Sequence, residues 1–267
     1  ALKLNPDLCV AKYKLGVTHY ERWKLRVNAF HDEAEEALVY LGETLACDTA
    51  NADAAIRYAG VTYALEQPAQ AQQAARNFAR RFPDVVDFPL MVAAVAFENE
   101  DFVTADSAFT VALDMMTNEE WGAYNELTRN VLGYDDMDRL EKLSLERQPV
   151  AQRAFWVGAD PDPTTNINES HMEHMYRVFR SDMLFSHSSV VTAWTRPQTR
   201  GWDTERGEVY IKWGWPEEIH ASHGGDRYEV WTYDDGVNER LLIPFTDRMG
   251  TGKLAIPSRD SEIQVGI

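Results

Sequence analysis

Apolar and small residues recur in the first half of the chain at a spacing that predicts paired helices. Ala37, Ala71 and Ala105 stand 34 residues apart. Phe109 and Ala112 then follow Ala105 at the helical spacings of four and three. Small residues at such positions allow two helix backbones to approach closely, while larger apolar side chains fill the space between them. The pattern predicts helical hairpins repeated along this half of the chain.

Other residues keep the register of these repeats. Ala59 precedes Ala71 by 12 residues, and Pro83 follows Ala71 by 12. Pro83 is expected to end a helix because proline lacks the amide donor and clashes with the preceding turn. The first unit is longer, since Ala37 comes nine residues late. We therefore predict that residues 21–28 form extra helix or a protruding turn.

A helical repeat of this length resembles the tetratricopeptide repeat. The resemblance implies a curved solenoid that binds a protein partner in a groove lined by the first helix of each pair. The candidate partner-binding side chains, each of which also fits an ordinary surface position, are Lys12, His19, Arg57 and Tyr63. Pro6 matches Pro83 in this register, so the chain is expected to begin within a repeat. Any leader or membrane anchor would then precede Ala1.

The helical pattern changes after the repeats. Residues 118–121 predict a capped helix start, and a short helix is predicted to include residues 137–143. The proline at position 149 then breaks the pattern. We predict two domains, a solenoid with capping helices over 1–149 and a second domain over 150–267.

The second domain is predicted to combine helices with a small antiparallel sheet. Asn168 begins a predicted helix that runs towards Phe185. Residues 208–213, 228–233 and 241–245 alternate or cluster in the way that is typical of strands, with turn residues between them. The fold class predicted for the whole chain is therefore α+β, an N-terminal α-solenoid followed by a helix-plus-sheet domain.

Several motifs in this second half resemble the bacterial GWxTD domain, over residues 150–257. They include Phe155-Trp156, Asp160-Pro161, Asn168-Glu169 and a Gly-Trp-x-Thr block at 201–207. The family-motif residues are Gly201, Trp202, Thr204, Glu205, Arg206, Tyr210, Gly214, Pro216 and Trp231. Glu205 stands where the family has an aspartate, which puts any role for a tightly placed carboxylate in doubt. The resemblance names no reaction, and it implies an envelope setting.

The motif residues also have structural interpretations. Gly201 would permit a backbone turn, and Trp202 would fill the core. Thr204 could cap a helix, and Glu205 could form a local ion pair with Arg206. These packing and capping roles are favoured over catalysis.

Net charge narrows the class of partner. The chain carries a formal net charge of −17, and such a surface repels nucleic acid phosphates. A basic protein partner fits this charge, although the acidity also serves solubility alone. No apolar run reaches the roughly 20 residues that a membrane-spanning helix needs.

The two cysteines, Cys9 and Cys47, are placed at the two ends of the first helical hairpin. The ends of an antiparallel hairpin lie on the same side, so a disulfide is geometrically allowed. Two buried thiols in a reducing compartment explain the same positions nearly as well. Neither cysteine has the spacing of a metal ligand.

Two histidine pairs are candidate metal ligands. His220 and His223, with two glutamates just before them, would suit zinc, although surface histidines explain them better. His171 and His174 lie three apart on a predicted helix, and we expect them to be solvated. No metal or cofactor is therefore predicted.

Recognised nucleophile and nucleotide motifs do not occur. The chain has no Gly-x-Ser-x-Gly block, and Ser186, Ser188 and Ser189 stand in no recognised setting. Residues 250–253 lack the glycine spacing of a phosphate-binding loop.

These observations predict a non-enzymatic scaffold or accessory subunit that binds a protein partner in a bacterial envelope-associated assembly. The expected location is extracytoplasmic or periplasmic, with any membrane attachment ahead of Ala1. One alternative is a metal-assisted enzyme that uses the cleft of the GWxTD-like domain. Another is a carbohydrate-binding module, suggested by the eight tryptophans.

Overall fold

The protein has an α+β fold in which helices precede a small antiparallel sheet. The computed structural model describes residues 8–25, 31–65, 67–117, 124, 127–144, 147–186, 200–222, 227–234, 240–247 and 254–257. Within these ranges there are ten α-helices, two short 3₁₀ helices and three strands.

Six helices occupy the segment in which helical hairpins were predicted. They are α1 (Cys9–Leu25), α2 (His31–Cys47), α3 (Ala52–Ala64), α4 (Pro68–Arg81), α5 (Asp87–Glu98) and α6 (Phe102–Met115). Each helix packs on the next one along the chain. Asn51 and Asp101 cap α3 and α6 by accepting hydrogen bonds from backbone amides in the first turn.

The small residues of the repeat lie where the helices meet. Ala37, Ala71 and Ala105 are fully buried. Helix α4 ends at Arg81, just before Pro83. Helix α1 continues to Leu25, so the described part of the lengthened first unit is extra helix. The helix start predicted at 118–121 lies outside the described residues.

Four helices follow in the second half of the chain. They are α7 (Tyr134–Glu141), α8 (Gln148–Gly158), α9 (Glu169–Phe185) and α10 (Glu205–Trp213). Asn168 caps α9, and this helix has the predicted bounds. Pro149 lies in the first turn of α8, a position where a missing amide donor costs nothing. The division into domains at this proline stays a prediction.

The segment 208–213 is helical, so the predicted strand is wrong. The side chain of Thr204 caps α10 by accepting a hydrogen bond from the amide of Gly207, at 3.0 Å. The buried residues of α10 are Gly207, Tyr210 and Ile211. This spacing of three and four places them on one face of a helix. Capping and packing thus override the strand preference of the branched and aromatic residues.

The sheet consists of β1 (Glu218–Ser222), β2 (Arg227–Asp234) and β3 (Arg240–Asp247) in the order β1-β2-β3. Both pairings are antiparallel, with Trp231 opposite both Ile219 and Ile243. Strands β2 and β3 include two of the predicted strand segments, whereas β1 was not predicted. Trp231 and Phe245 pack with Phe185 and Tyr210 in a core shared by the sheet, α9 and α10.

Helix α9 packs against the first helix of each front pair. Tyr176 stacks on Phe97 of α5, with ring centroids 4.9 Å apart. Met183 lies beside Gly60 of α3. At the end of α9, Ser186 accepts a hydrogen bond from Lys24 of α1. Helices from both halves of the chain therefore share one apolar core.

Candidate functional site

A polar pocket lies between α9 and the front helices. Its volume is about 70 Å³. Its lining residues come from α1, α3, α5, α9 and the segment just before α10: Tyr20, Asp53, Ile56, Arg57, Gly60, Asp87, Met91, Phe179, Asp182, Met183, Ser186 and Arg200. The pocket is therefore built by both halves of the chain.

Ion pairs fix the charged side chains around this pocket. Arg57 is buried and contacts Asp53 on its own helix and Glu21 on α1, each at 2.7 Å. Arg200 pairs with Asp182 of α9 at 2.9 Å. Paired charges in partly buried sites hold defined geometries, because breaking a pair leaves an uncompensated charge.

Lys24 and Ser186 form a hydrogen-bonded pair beside the pocket. The Lys24 ammonium donates to the Ser186 hydroxyl. Only 5% of Lys24 and 6% of Ser186 is exposed. Burial lowers the pKa of Lys24 to about 8, because removal from water disfavours the charged amine. A lysine with such a pKa exists partly as a free base near neutral pH.

Two of the four predicted partner-binding residues lie inside the molecule. Arg57 is held in the ion pairs described above, and the Tyr63 hydroxyl donates to Glu98 at 2.5 Å. Lys12 and His19 lie nearer the surface, and each pairs with a glutamate, Glu43 at 3.2 Å and Glu33 at 2.6 Å respectively. The four side chains are not brought together in one open groove, and partner binding through them stays a prediction.

The Gly-Trp-x-Thr block fastens α10 to α9. A Cβ atom on Gly201 would lie 1.9 Å from the Ser181 carbonyl oxygen, so no other residue fits without a shift of the backbone. The Gly201 amide donates to Asp182 at 2.6 Å. Trp202 is buried against Tyr124. The described contacts of the block are packing and backbone contacts.

Glu205 and Arg206 do not make the expected local ion pair. Arg206 pairs with Glu229 of β2 at 3.4 Å, and its guanidinium lies over the Phe185 ring. Glu205 accepts a hydrogen bond from the backbone amide of Ile256. The two adjacent side chains therefore join different parts of the chain to α10, since consecutive helical residues point in different directions.

The remaining motif residues belong to the core around the sheet. Tyr210 and Trp231 are buried side chains of that core. Gly214 has a φ of 80°, a left-handed conformation that ends α10 and favours glycine. Its carbonyl accepts a hydrogen bond from Tyr233 at 3.0 Å. Pro216, next along the chain but one, is buried too.

The histidine pairs are placed differently from one another. His220 is exposed on β1 and lies 3.4 Å from Glu218, whereas His223 lies outside the described residues. Within the described ranges, no three His, Cys, Asp or Glu side chains are grouped in a way that could hold a metal ion.

His171 and His174 are not solvated, so that prediction is wrong. Both rings lie 4.9 Å from the Trp156 ring of α8, which covers them. Burial lowers the pKa of His171 to about 4 and that of His174 to about 3. Neither ring nitrogen of His174 makes a hydrogen bond to a described residue. Helix spacing identified the pair, but only the packing of α8 shows their environment.

Sequence reasoning missed the Lys24–Ser186 pair. The two residues are separated by 162 positions, and neither lies in a recognised motif. The one available signal was an isolated lysine between Trp23 and Leu25, on the apolar side of a predicted helix. No local pattern could have indicated the serine that it contacts.

Comparisons with known proteins provide no relative. None of the protein-family models searched matches this chain, and no curated protein matches it. None of the described helices combines the length and the apolar character that crossing a bilayer requires.

Proposed function

We propose that this protein is a scaffold or accessory subunit that binds a protein partner in a bacterial envelope-associated assembly. The carrying observation is an exposed aromatic surface at the end of α10. Trp213 and Trp215 flank Gly214 and are 50% and 45% exposed. Tryptophan is among the residues that dominate the binding energy of protein interfaces.

Neighbouring apolar side chains on the sheet extend this surface. The Trp213 ring lies 6.3 Å from the ring of Tyr233 on β2. Tyr233 is paired across the sheet with Leu241 of β3, and directly paired side chains share one face. Leu241 is exposed as well. Exposed apolar patches of this kind commonly mark interaction sites.

The front helices are proposed to be a tetratricopeptide-type solenoid, and the second half a GWxTD-type domain. The 34-residue recurrence of buried alanines supports the first proposal. The backbone contacts of Gly201 and the cap made by Thr204 are consistent with a motif retained for structure. Because α9 packs on the first helix of each pair, we place the main partner surface on the α10 side.

A disulfide supports an extracytoplasmic location. Cys9 and Cys47 are bonded, with their Cα atoms 6.0 Å apart. Disulfides persist in oxidising compartments such as the periplasm and are rare in the reducing cytosol. The net charge of −17 favours a partner with a basic surface.

The test is affinity capture from an envelope extract of the protein's source, followed by native mass measurement. We expect the wild-type chain to retain one or more proteins in defined stoichiometry. The double variant Trp213→Ala, Trp215→Ala should lose them, with a weakening on the order of 2 kcal/mol or more.

The matched control is Val157→Ala, an apolar residue on α8 that is 74% exposed. This variant should capture the same proteins as the wild type. A wild-type chain that is recovered only as a monomer, or a double tryptophan variant that captures every partner, would contradict the proposal.

A further inference from the structure

The hydrogen bond between Lys24 and Ser186 has chemical consequences because of where it lies. Ser186 lines the pocket, and its backbone amide donates to the Asp182 carbonyl at 3.2 Å, which fixes the residue at the end of α9. Lys24 projects from α1 and approaches the hydroxyl from the other half of the chain. A hydroxyl that is paired with an amine and faces a cavity is the arrangement of a serine–lysine nucleophile.

We propose that Ser186 is a nucleophile activated by Lys24 and that the pocket binds short-chain acyl esters, which the protein hydrolyses. This inference goes beyond the proposed function and departs from the expectation of a non-enzymatic scaffold.

Lys24 is suited to act as the general base. Four charged groups from four helices act on it: Glu21 on its own helix, Arg57 on α3, Asp182 on α9 and Arg206 on α10. The carboxylates favour the ammonium and the guanidinium groups disfavour it, while burial has the largest effect and favours the free amine. The free amine can accept the hydroxyl proton of Ser186.

The pocket also supplies a hydrogen-bond donor for the oxyanion. The Nε atom of Arg200 is buried and makes no hydrogen bond to a described residue. Arg200 lines the same pocket as Ser186, and its other guanidinium nitrogen is anchored by Asp182. A guanidinium held in this way can donate to the negative oxygen of a tetrahedral intermediate.

The size and lining of the pocket define the acyl group. A volume of about 70 Å³ accommodates a few water molecules or an acyl group of a few atoms. Apolar atoms from Ile56, Met91 and Phe179 line part of it. Acetyl and propionyl esters fit these limits, whereas an eight-carbon chain does not.

The reaction is written in two balanced steps. In the first, the Ser186 oxygen bonds to the ester carbonyl carbon, Lys24 takes the hydroxyl proton, and the alcohol leaves with that proton as its C–O bond breaks. In the second, water attacks the acyl-serine and gives a proton to Lys24. The carboxylic acid is released, and the proton returns to the Ser186 oxygen. No external oxidant or reductant is consumed.

The first experiment measures hydrolysis of p-nitrophenyl acetate and p-nitrophenyl octanoate by the purified chain. We expect turnover of the acetate only, with a rate that rises with pH and levels off near the pKa of Lys24, about 8. Ser186→Ala and Lys24→Met should each reduce the rate by about 100-fold or more. The matched controls are the exposed residues Ser107 and Lys142, and S107A and K142M should retain the wild-type rate.

The second experiment does not depend on a variant that folds. The wild-type protein is treated with a fluorophosphonate probe, and the adduct is located by peptide mass spectrometry. A single adduct on Ser186, slowed by excess p-nitrophenyl acetate, would support the proposal. The absence of an adduct on Ser186 at about pH 9, with a known serine hydrolase labelled in parallel, would overturn it, as would turnover that Ser186→Ala leaves unchanged.

Discussion

Single buried polar residues determine much of the chemistry of this molecule. Lys24 and His174 both have pKa values lowered by burial, yet they differ in their surroundings. Lys24 has a hydroxyl partner and charged neighbours, whereas His174 packs under Trp156 and bonds to no described residue. Lys24 therefore lies in a polar site, while His174 is a neutral part of the core.

The buried histidines predict a loss of stability in acid. His174 has a pKa of about 3 in the folded chain and 6.5 as its ordinary value. The unfolded chain binds protons below 6.5 that the folded chain refuses, so stability falls as the pH drops through this range. Between about pH 7 and pH 4.5, His174 alone should cost on the order of 2 kcal/mol.

This dependence can be measured by urea unfolding at the two pH values. His174→Gln should show a smaller difference between them than the wild type does. His220→Gln, a change at an exposed histidine, keeps both buried rings and serves as the control. Equal pH dependence in the wild type and His174→Gln would show that the ring is not excluded from water.

At the scale of elements, close backbone contacts determine how α10 is attached. Gly201 lies against the backbone of α9, and Gly207 lies against the carbonyl of Gly201, so the two glycines form a continuous contact. Thr204 accepts the Gly207 amide and donates to the Gly201 carbonyl at 2.6 Å. The motif therefore couples a helix start to a helix crossing, and both require these residue types.

Substitution of either glycine is expected to be severe. A Cβ atom at Gly207 would lie 1.9 Å from the Gly201 carbonyl oxygen, and backbone atoms cannot rotate away. Gly201→Ala and Gly207→Ala should each lower the free energy of unfolding by at least about 3 kcal/mol. Thermal and urea unfolding measure this loss.

Gly158→Ala is the matched control, because a Cβ atom there meets no other atom within 4 Å. Its free energy of unfolding should change by less than about 1 kcal/mol. Wild-type stability in Gly201→Ala would mean that α10 is not packed on α9 as described.

The order of the elements was predictable where the signals are local. The Asn168 cap and helical spacing defined α9, and turn residues separated the segments that became β2 and β3. Strand β1 was missed because its five residues alternate poorly. The helix α10 was misassigned because Val209, Tyr210 and Ile211 favour strands when considered without their neighbours.

At the scale of the whole molecule, α9 joins the two halves. Glu98, at the end of α5, accepts hydrogen bonds from Tyr63 on α3 and from Tyr176 on α9, at 2.5 and 2.6 Å. Arg180 of α9 completes the group by an ion pair with the same carboxylate. The helix thus occupies, within one chain, the face that a partner would be expected to fill in a tetratricopeptide-type solenoid.

The joint can be tested with a double-mutant cycle. Glu98→Ala should lower the free energy of unfolding by about 1 to 3 kcal/mol, since it leaves hydroxyl and guanidinium donors without their acceptor. Combined with Tyr176→Phe, the two changes should cost less than their sum by about 0.5 kcal/mol or more. Glu36→Ala, at an exposed position of α2, should have little effect and add independently. Strict additivity of Glu98 and Tyr176 would exclude a coupled joint.

The sequence alone determined the helical hairpins, the bounds of α9, the helix cap by Thr204 and the positions of two strands. These features depend on the spacing of neighbouring residues and on capping within one turn. Only the tertiary structure decided that residues 208–213 are helical, that Arg57 and Tyr63 are buried, and that Lys24 meets Ser186. Each of these depends on contacts between residues far apart in the chain, because burial and pairing arise from how elements pack on one another.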